Sequence, residues 1–356
     1  ASVPSLAHAF HLRPTVRSTL VALLSAMGVG CGTGASTEDE VASNAKDVVA
    51  RLLDDCDAFL FDCDGTLYHA GTLLPHVAES LKFLRDFGKK LFFVTNTSSR
   101  SREQLCAKLQ GMGVPCEVHE CVPSCVFTAD YVKRMHPTAE RVYVVGGQGV
   151  VDELAKVGIS SSGGPEEDTK KFDEADFTSL AEELGRERYD GVVVGWDTGL
   201  TYYKITKSSL VFQRHPGAFF YATNDDGADR VGDWMLPGNG PLLKGLEAAC
   251  AACAPARVGK DKPFGTEAIV LGKPNPDYAR LIAEWNGIDL SRAVMVGDRL
   301  DTDILMGKRA GMKSLFVLTG VDGLAQMSEK QIYPDFVLPR VGCLWSERPQ
   351  QQPSRL

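Results

Sequence analysis

No Asp or Glu precedes Glu38 in this 356-residue chain, no histidine follows His215, and no apolar run approaches the roughly 20 residues that cross a bilayer. The last absence counts against an ion pump, which would need such spans. The second leaves the C-terminal part without an imidazole to offer a ligand. The first marks off the N-terminal part. It is acid-free, with Arg13 and Arg17 ahead of the apolar "LVALLSAMGVG". That composition predicts a targeting segment or a disordered leader over residues 1–45. Excess positive charge is lacking too. The 38 Lys and Arg stand against 46 Asp and Glu, for a net charge of −8. A polyanion would be repelled, so nucleic acid is not an expected partner. No internal repeat is evident.

The 10 cysteines show no disulfide framework, which points to free thiols in a reducing compartment. Cys250 and Cys253 form a CxxC, and Cys121 and Cys125 are spaced like metal ligands. However, "EAACAACAP" is an Ala-rich helical face on which cysteine packs as a small hydrophobe. The tail 346–356 is polar and reads as disordered.

What is present between these ends is a series of short apolar runs. "AFLF" ends at Asp62, "LFFV" at Thr95-Asn96, "AIVL" at Gly272-Lys273, "AVMV" at Gly297-Asp298 and "SLFVL" at Thr319-Gly320. Runs that are apolar throughout suit strands buried on both faces of a parallel sheet. Helical patterns alternate with them. "HVAESLKFLRDFG" lines up Val77, Leu81 and Leu84 and stops at Gly88. "PDYARLIAEWNG" starts at Pro276, lines up Tyr278, Leu281, Ile282 and Trp285, and stops at Gly287. This alternation predicts an α/β fold with a doubly wound, parallel-sheet (Rossmann-like) core. Its ligand is expected beyond the carboxyl ends of the strands, where four of the five runs deliver polar residues. A middle stretch has its own runs, "RVYVVG", "GVVVGWD" and "GAFFYATN", and a loop-like charged excursion, "SSGGPEEDTKKFDEADF". The expected layout is a core from 46–137 and 268–345 with a smaller α/β cap, 138–267, inserted into it.

Asp62 and Asp64 close the first run one residue apart, and such carboxylates repel unless a divalent cation neutralises them. Oxygen ligands suit Mg²⁺. One carboxylate can attack phosphorus, and the other can act as acid and base. Asp298 offers a further metal carboxylate. Lys273 can neutralise phosphate oxygens, and Thr95 with the Asn96 backbone can donate hydrogen bonds to them. Cys63, between the acids, points by strand alternation to the opposite side and is expected to pack.

The motifs "DCDGT" at 62–66, "TN" at 95–96, "GKPNP" at 272–276 and "GDRLDTD" at 297–303 resemble, in order and at strand ends, those of the haloacid dehalogenase superfamily. An insert between the second and third motifs resembles the C2-capped branch. "VMVGDRLDTDIL", "LTGV" and "PDF" are similar to the group of eukaryotic phosphoglycolate phosphatases and 4-nitrophenylphosphatases. The resemblance covers about Asp54 to Trp345. It implies Mg²⁺-dependent hydrolysis of a small phosphate ester, with 2-phosphoglycolate yielding glycolate and phosphate. Asp62 would be the nucleophile that becomes an aspartyl-phosphate, and Asp64 the general acid and base. The metal would lie on Asp62, the Asp64 backbone carbonyl and Asp298. Asp303 would orient Lys273 or a metal-bound water, or simply favour a helix N-terminus.

Thr97 stands where many relatives have Asn, and it keeps a hydroxyl and its N–H. The cap loop "TNDDGADRVGDWMLPGN", 223–239, would read the leaving group. Pyridoxal phosphatases use a histidine there, and this loop has none. Arg230, its only cation, either pairs with the carboxylate of phosphoglycolate or balances Asp225, Asp226, Asp229 and Asp233. Pyridoxal phosphatase or broad-range 4-nitrophenylphosphatase activity, and a non-catalytic phosphate-binding regulator, are the alternatives. The resemblance also implies a homodimer through the cap. The expected compartment is cytoplasmic, or a plastid-type organelle if the leader is a targeting segment.

Overall fold

The computed structural model describes residues 37–231, 234–253 and 267–349. Most of the expected leader, Gly232 and Asp233 of the cap loop, the cap segment 254–266 and most of the expected tail lie outside the described residues. Two parallel sheets organise the rest.

The larger sheet runs in the order Phe336–Leu338, Lys313–Val317, Ala293–Gly297, Ala58–Phe61, Lys90–Thr95 and Cys121–Pro123. Every neighbouring pair is parallel. Continuous apolar runs form these strands because helices cover both faces. On one face Phe59, Phe61, Phe93 and Val296 pack with Leu52, Leu81, Leu84 and Leu105. On the other, Leu60, Phe92, Val94 and Met295 pack with Val126, Val132, Tyr278 and Ile282. The helices begin and end where their chemistry requires. In Pro276–Asn286, Pro276 opens the first turn, and the Asn275 side chain accepts the Asp277 N–H at 3.0 Å. Gly287, at φ 57°, closes it in the left-handed region that glycine tolerates.

The second sheet is Ile269–Val270, Phe219–Ala222, Gly191–Val194, Arg141–Val145 and Ser160–Gly163, again all parallel. An antiparallel hairpin, Ala228–Val231 with Trp234–Pro237, projects from it. It occupies the expected cap loop.

Four sequence expectations change. "AIVL" does not enter the larger sheet: Ile269–Val270 pairs with Tyr221–Ala222 of the second. Lys273 therefore reaches the core from the last strand of the cap. The charged excursion is not simply a solvated loop. Its first three residues complete an edge strand, Ser160–Gly163, and Glu167 is buried, bound by Lys207 Nζ at 2.8 Å and Tyr143 Oη at 2.8 Å. The part of the leader from Thr37 onward is helical, over Thr37–Ser43, and Val41 is buried against Ile304, Phe316 and Met327. Trp285, expected on a buried helix face, is 37 % exposed, with the Arg102 guanidinium 5.1 Å over its ring. Among the described residues, no helix is long and apolar enough to cross a membrane.

Candidate active site

Ala58–Phe61 is flanked by Ala293–Gly297 on one side and Lys90–Thr95 on the other. Successive strands are added to one side of this strand and then to the other, which places the ligand crevice at its carboxyl end. Asp62 N–H continues the ladder to the Val296 carbonyl at 2.8 Å, fixing the first carboxylate. The chain then turns sharply, with Leu67 N–H on the Cys63 carbonyl and Gly65 N–H on the Tyr68 carbonyl, both at 2.9 Å. Gly65 sits at φ +85°, and a Cβ there would lie 2.6 Å from Asp298 Oδ2, so the turn requires glycine. Cys63 is fully buried in the core, as alternation predicts.

Lys273 is the hub. Its ammonium donates to Asp62 Oδ1 at 2.5 Å, Asp303 Oδ1 at 2.7 Å and the Val94 carbonyl at 3.1 Å. Burial opposes its charge, but Asp303 and Asp62 outweigh burial and hold it firmly protonated. Asp303 Oδ2 accepts the Arg299 N–H at 3.1 Å in the first turn after Ala293–Gly297. Asp303 thus bonds Lys273 through one oxygen and backbone at a helical start through the other. Asp298 Oδ1 accepts from Thr66 Oγ1 at 3.1 Å, and Oδ2 accepts from the Val321 N–H at 2.8 Å. Burial, then the Asp62 and Asp303 charges, push Asp298 well above the usual carboxylate range.

Carboxylate oxygens of Asp62, Asp298 and Asp303 lie within 4.8 Å of one another. Of these three buried acids only Asp62 and Asp303 bond the Lys273 ammonium, and every donor atom is oxygen. That set fits a hard divalent cation, which would remove the repulsion that raises Asp298.

Thr95 Oγ1 accepts the Thr97 N–H at 3.1 Å. The Asn96 side chain accepts the Lys273 N–H at 2.8 Å and donates to the Lys273 carbonyl at 3.2 Å and to Asp226 at 3.1 Å. Asn96 therefore ties the loop after Lys90–Thr95 to both Lys273 and the cap. From the cap, Arg230 Nη1 donates to the Gly320 carbonyl at 3.2 Å. In the other direction Arg299 reaches Ala228 O at 2.6 Å and Asp229 Oδ1 at 3.3 Å. The acids near Arg230 are thus balanced in part by Arg299, a residue outside the loop.

One cavity of about 320 Å³ brings together Asp62, Asp64, Thr95, Asn96, Thr97, Arg230, Lys273, Asp298 and Asp303. Sequence reasoning missed others that line it. Tyr68 Oη donates to Asp64 Oδ2 at 2.8 Å and accepts from Lys108 Nζ at 2.8 Å, with the Lys108 ammonium 4.1 Å from the ring centre. Burial raises Asp64, and Lys108 and the Tyr68 hydroxyl oppose that rise. Arg100 and Trp196 also face the cavity. Arg100 was visible as the cation that follows "TNTSS". Tyr68 is two residues past "DCDGT", but nothing in the sequence pairs it with Lys108.

The Haloacid dehalogenase-like hydrolase family model matches residues 59–160, and a second, HAD-hydrolase-like model matches residues 270–344. Phosphoglycolate phosphatase 2 of Arabidopsis thaliana is 37% identical over 290 residues, 80% of this chain and 91% of that protein. The 4-nitrophenylphosphatase of Thermotoga maritima superposes with a TM-score of 0.67 at 29% identity, over 83% of this chain and 98% of that one. A glycerol phosphate phosphatase from Mycobacterium tuberculosis in complex with magnesium also superposes at 0.67, with 26% identity, over 82% of this chain and 78% of that one. Cap placement, motif order and these likenesses agree: the chain belongs to the C2-capped haloacid dehalogenase-like hydrolases and is a phosphoric monoester hydrolase.

Proposed function

We propose that the chain hydrolyses 2-phosphoglycolate with Mg²⁺ through an aspartyl-phosphate on Asp62. The observation that carries this reading is the placement of Asp62. It is fixed at the end of the central strand, bonded at 2.5 Å to a buried ammonium, with the second carboxylate, Asp64, held separately by Tyr68. Asp62 and Asp298, with the Asp64 backbone carbonyl, would hold Mg²⁺, whose chemistry is to neutralise phosphoryl oxygens as a Lewis acid.

A carboxylate oxygen of Asp62 attacks phosphorus, the bond to the ester oxygen breaks, and Asp64 gives that oxygen its proton. Asp64, now ionised, takes a proton from water, which attacks phosphorus and returns the Asp62 carboxylate and inorganic phosphate. Lys273 and the Thr95 hydroxyl bind the phosphoryl oxygens. Asp303 keeps Lys273 aimed.

The substrate reading rests on size and charge. A cavity of about 320 Å³ that also presents Arg100, Lys108 and Arg230 suits a small ester with a second anionic group. Arg230 reaches over the cavity to Gly320, which favours it as the partner of the glycolate carboxylate. The test is kcat/KM with Mg²⁺ or chelator for 2-phosphoglycolate, glycerol phosphate, pyridoxal phosphate and 4-nitrophenyl phosphate. Phosphoglycolate is expected to lead, and Arg230→Ala to penalise it more than 4-nitrophenyl phosphate. A lead for glycerol phosphate or pyridoxal phosphate overturns the substrate. Equal penalties reject Arg230 as the selector.

A further inference from the structure

Three buried cysteines from separate stretches converge at the edge of the larger sheet. Cys106 lies on the helix Arg102–Gly111, Cys116 on the loop that follows, and Cys121 opens the edge strand Cys121–Pro123. Their Sγ atoms all lie within 4.8 Å of one another, and Cys106 and Cys116 are 3.7 Å apart. Zinc–sulfur bonds of about 2.3 Å in tetrahedral array set their sulfurs about 3.8 Å apart. That pair already stands at the required spacing. We propose that Cys106, Cys116 and Cys121 form a site for one thiophilic d¹⁰ cation, Zn²⁺, held through their three sulfurs.

A single buried cysteine packs as a small hydrophobe. Cys56, Cys63, Cys125, Cys250 and Cys343 are buried too, and none of them joins a group of three or more metal-binding side chains among the described residues. The CxxC at Cys250 and Cys253 is no exception, because it leaves one thiol buried and one exposed. The trio differs by convergence, and its loop is set in advance. Arg85 donates to the Pro115 carbonyl at 2.8 Å and to both Glu120 oxygens at 2.7 Å, and Gln110 donates to the Cys116 carbonyl at 2.8 Å.

Charge is provided for as well. Hydrogen bonds from Cys121 and Cys106, helped by the Arg85 charge, hold the Cys116 thiol below its ordinary value, while burial pushes Cys106 up to about 11. Binding forms three sulfur–zinc bonds and releases the three thiol protons to solvent, with no change of oxidation state. The complex carries one net negative charge. Arg85 stands nearby to offset it, and its buried Nε has no hydrogen-bond partner in the thiol form.

Full-length, metal-stripped protein, reduced and held in excess Mg²⁺, is titrated with Co²⁺ as a spectroscopic stand-in for zinc. The expected result is one equivalent of Co²⁺ giving thiolate-to-cobalt charge-transfer absorption that Zn²⁺ abolishes. Cys116→Ser should weaken Co²⁺ binding by more than the roughly 100-fold that losing a group behind a ligand can cost. Cys253→Ser should leave it unchanged. Cys116 is the most exposed of the three, at 7%, so its serine variant disturbs packing least. Unchanged phosphatase activity in that variant verifies its fold. No charge-transfer band, or a band that survives Cys116→Ser, overturns the proposal. Isolation of a Cys106–Cys116 disulfide that forms in preference to Co²⁺ binding also overturns it.

Discussion

Replacing Gly320 by alanine tests the position of Asp298 without removing a polar group. A Cβ at Gly320 would lie 1.7 Å from Asp298 Oδ2 and 2.2 Å from its Cγ. Cβ atoms essentially never approach a neighbour within 3.0 Å, so the carboxylate or the backbone must retreat by at least 1.3 Å, the difference between that limit and 1.7 Å. Gly320 has no positive φ, so the substitution acts through volume alone. The retreat also breaks the bond from the Val321 N–H, 2.8 Å long, that aims Oδ2. Misplacement of a catalytic group by about 1 Å can lower kcat/KM by about 100-fold. Overpacking of this kind costs about 1–3 kcal/mol of stability. The assay is kcat/KM at saturating Mg²⁺ together with the Mg²⁺ half-saturation, both of which should worsen. Gly323→Ala is the control, since its Cβ would meet only the flexible end of Gln326, at 3.2 Å. Wild-type kinetics and metal affinity in folded Gly320→Ala would refute the claim that Asp298 must stand where it does.

Three further outcomes follow from the same geometry. Asp298 is raised in the cation-free protein, so the folded state holds a proton that the unfolded chain has lost. Stability in chelator should therefore fall as pH rises from the ordinary carboxylate range through the raised value, and Mg²⁺ should restore it with proton release seen by calorimetry in buffers of different ionisation enthalpy. Tyr68→Phe removes the hydroxyl between Lys108 and Asp64. Turnover of phosphoglycolate should drop about tenfold, the worth of one hydrogen bond to a charged group, and formation of the phospho-enzyme from 4-nitrophenyl phosphate, whose leaving group needs no proton, should drop less. Deleting residues 1–45 should leave kcat/KM near wild type but lower the denaturant midpoint, because Val41 is buried and burying such a side chain stabilises by about 1.5–3 kcal/mol. Deletion of 1–36 spares that residue and serves as the comparison.

The site was more legible in the sequence than the sheets that carry it. Asp62, Thr95 and Asp298 each follow an apolar run of the larger sheet, whose parallel strands bring run ends to one edge, and Lys273 follows a run too, although that run joins the cap sheet. Which sheet a run joins is not local information. "AIVL" is as apolar throughout as "AVMV", yet Ile269–Val270 pairs with the cap strand Phe219–Ala222. Cys121–Pro123 is only three residues long and contains proline, so it carried no strand signal, although it completes the edge of the larger sheet. Ser160–Gly163 reads as a loop because a polar edge strand lacks apolar periodicity. Burial of Glu167 depends on Lys207, forty residues on. The Lys108–Tyr68–Asp64 chain likewise joins a helix to the turn after Ala58–Phe61 over a separation that no motif encodes. The second reading of Arg230, as a counter-charge to its loop acids, missed Arg299 for the same reason.

The central claim is that phosphorus becomes bonded to Asp62. The most direct measurement is acid quench of the Asp64→Asn variant after mixing with Mg²⁺ and 4-nitrophenyl phosphate, whose leaving group needs no proton from Asp64, followed by borohydride reduction and peptide mass spectrometry. Without the Asp64 carboxylate, water is poorly activated and the acyl phosphate should accumulate. Reduction should then convert residue 62 alone to homoserine. A phosphoryl group trapped on any other residue, or release of phosphate by this variant with no acyl phosphate at position 62 at any time, would contradict the account.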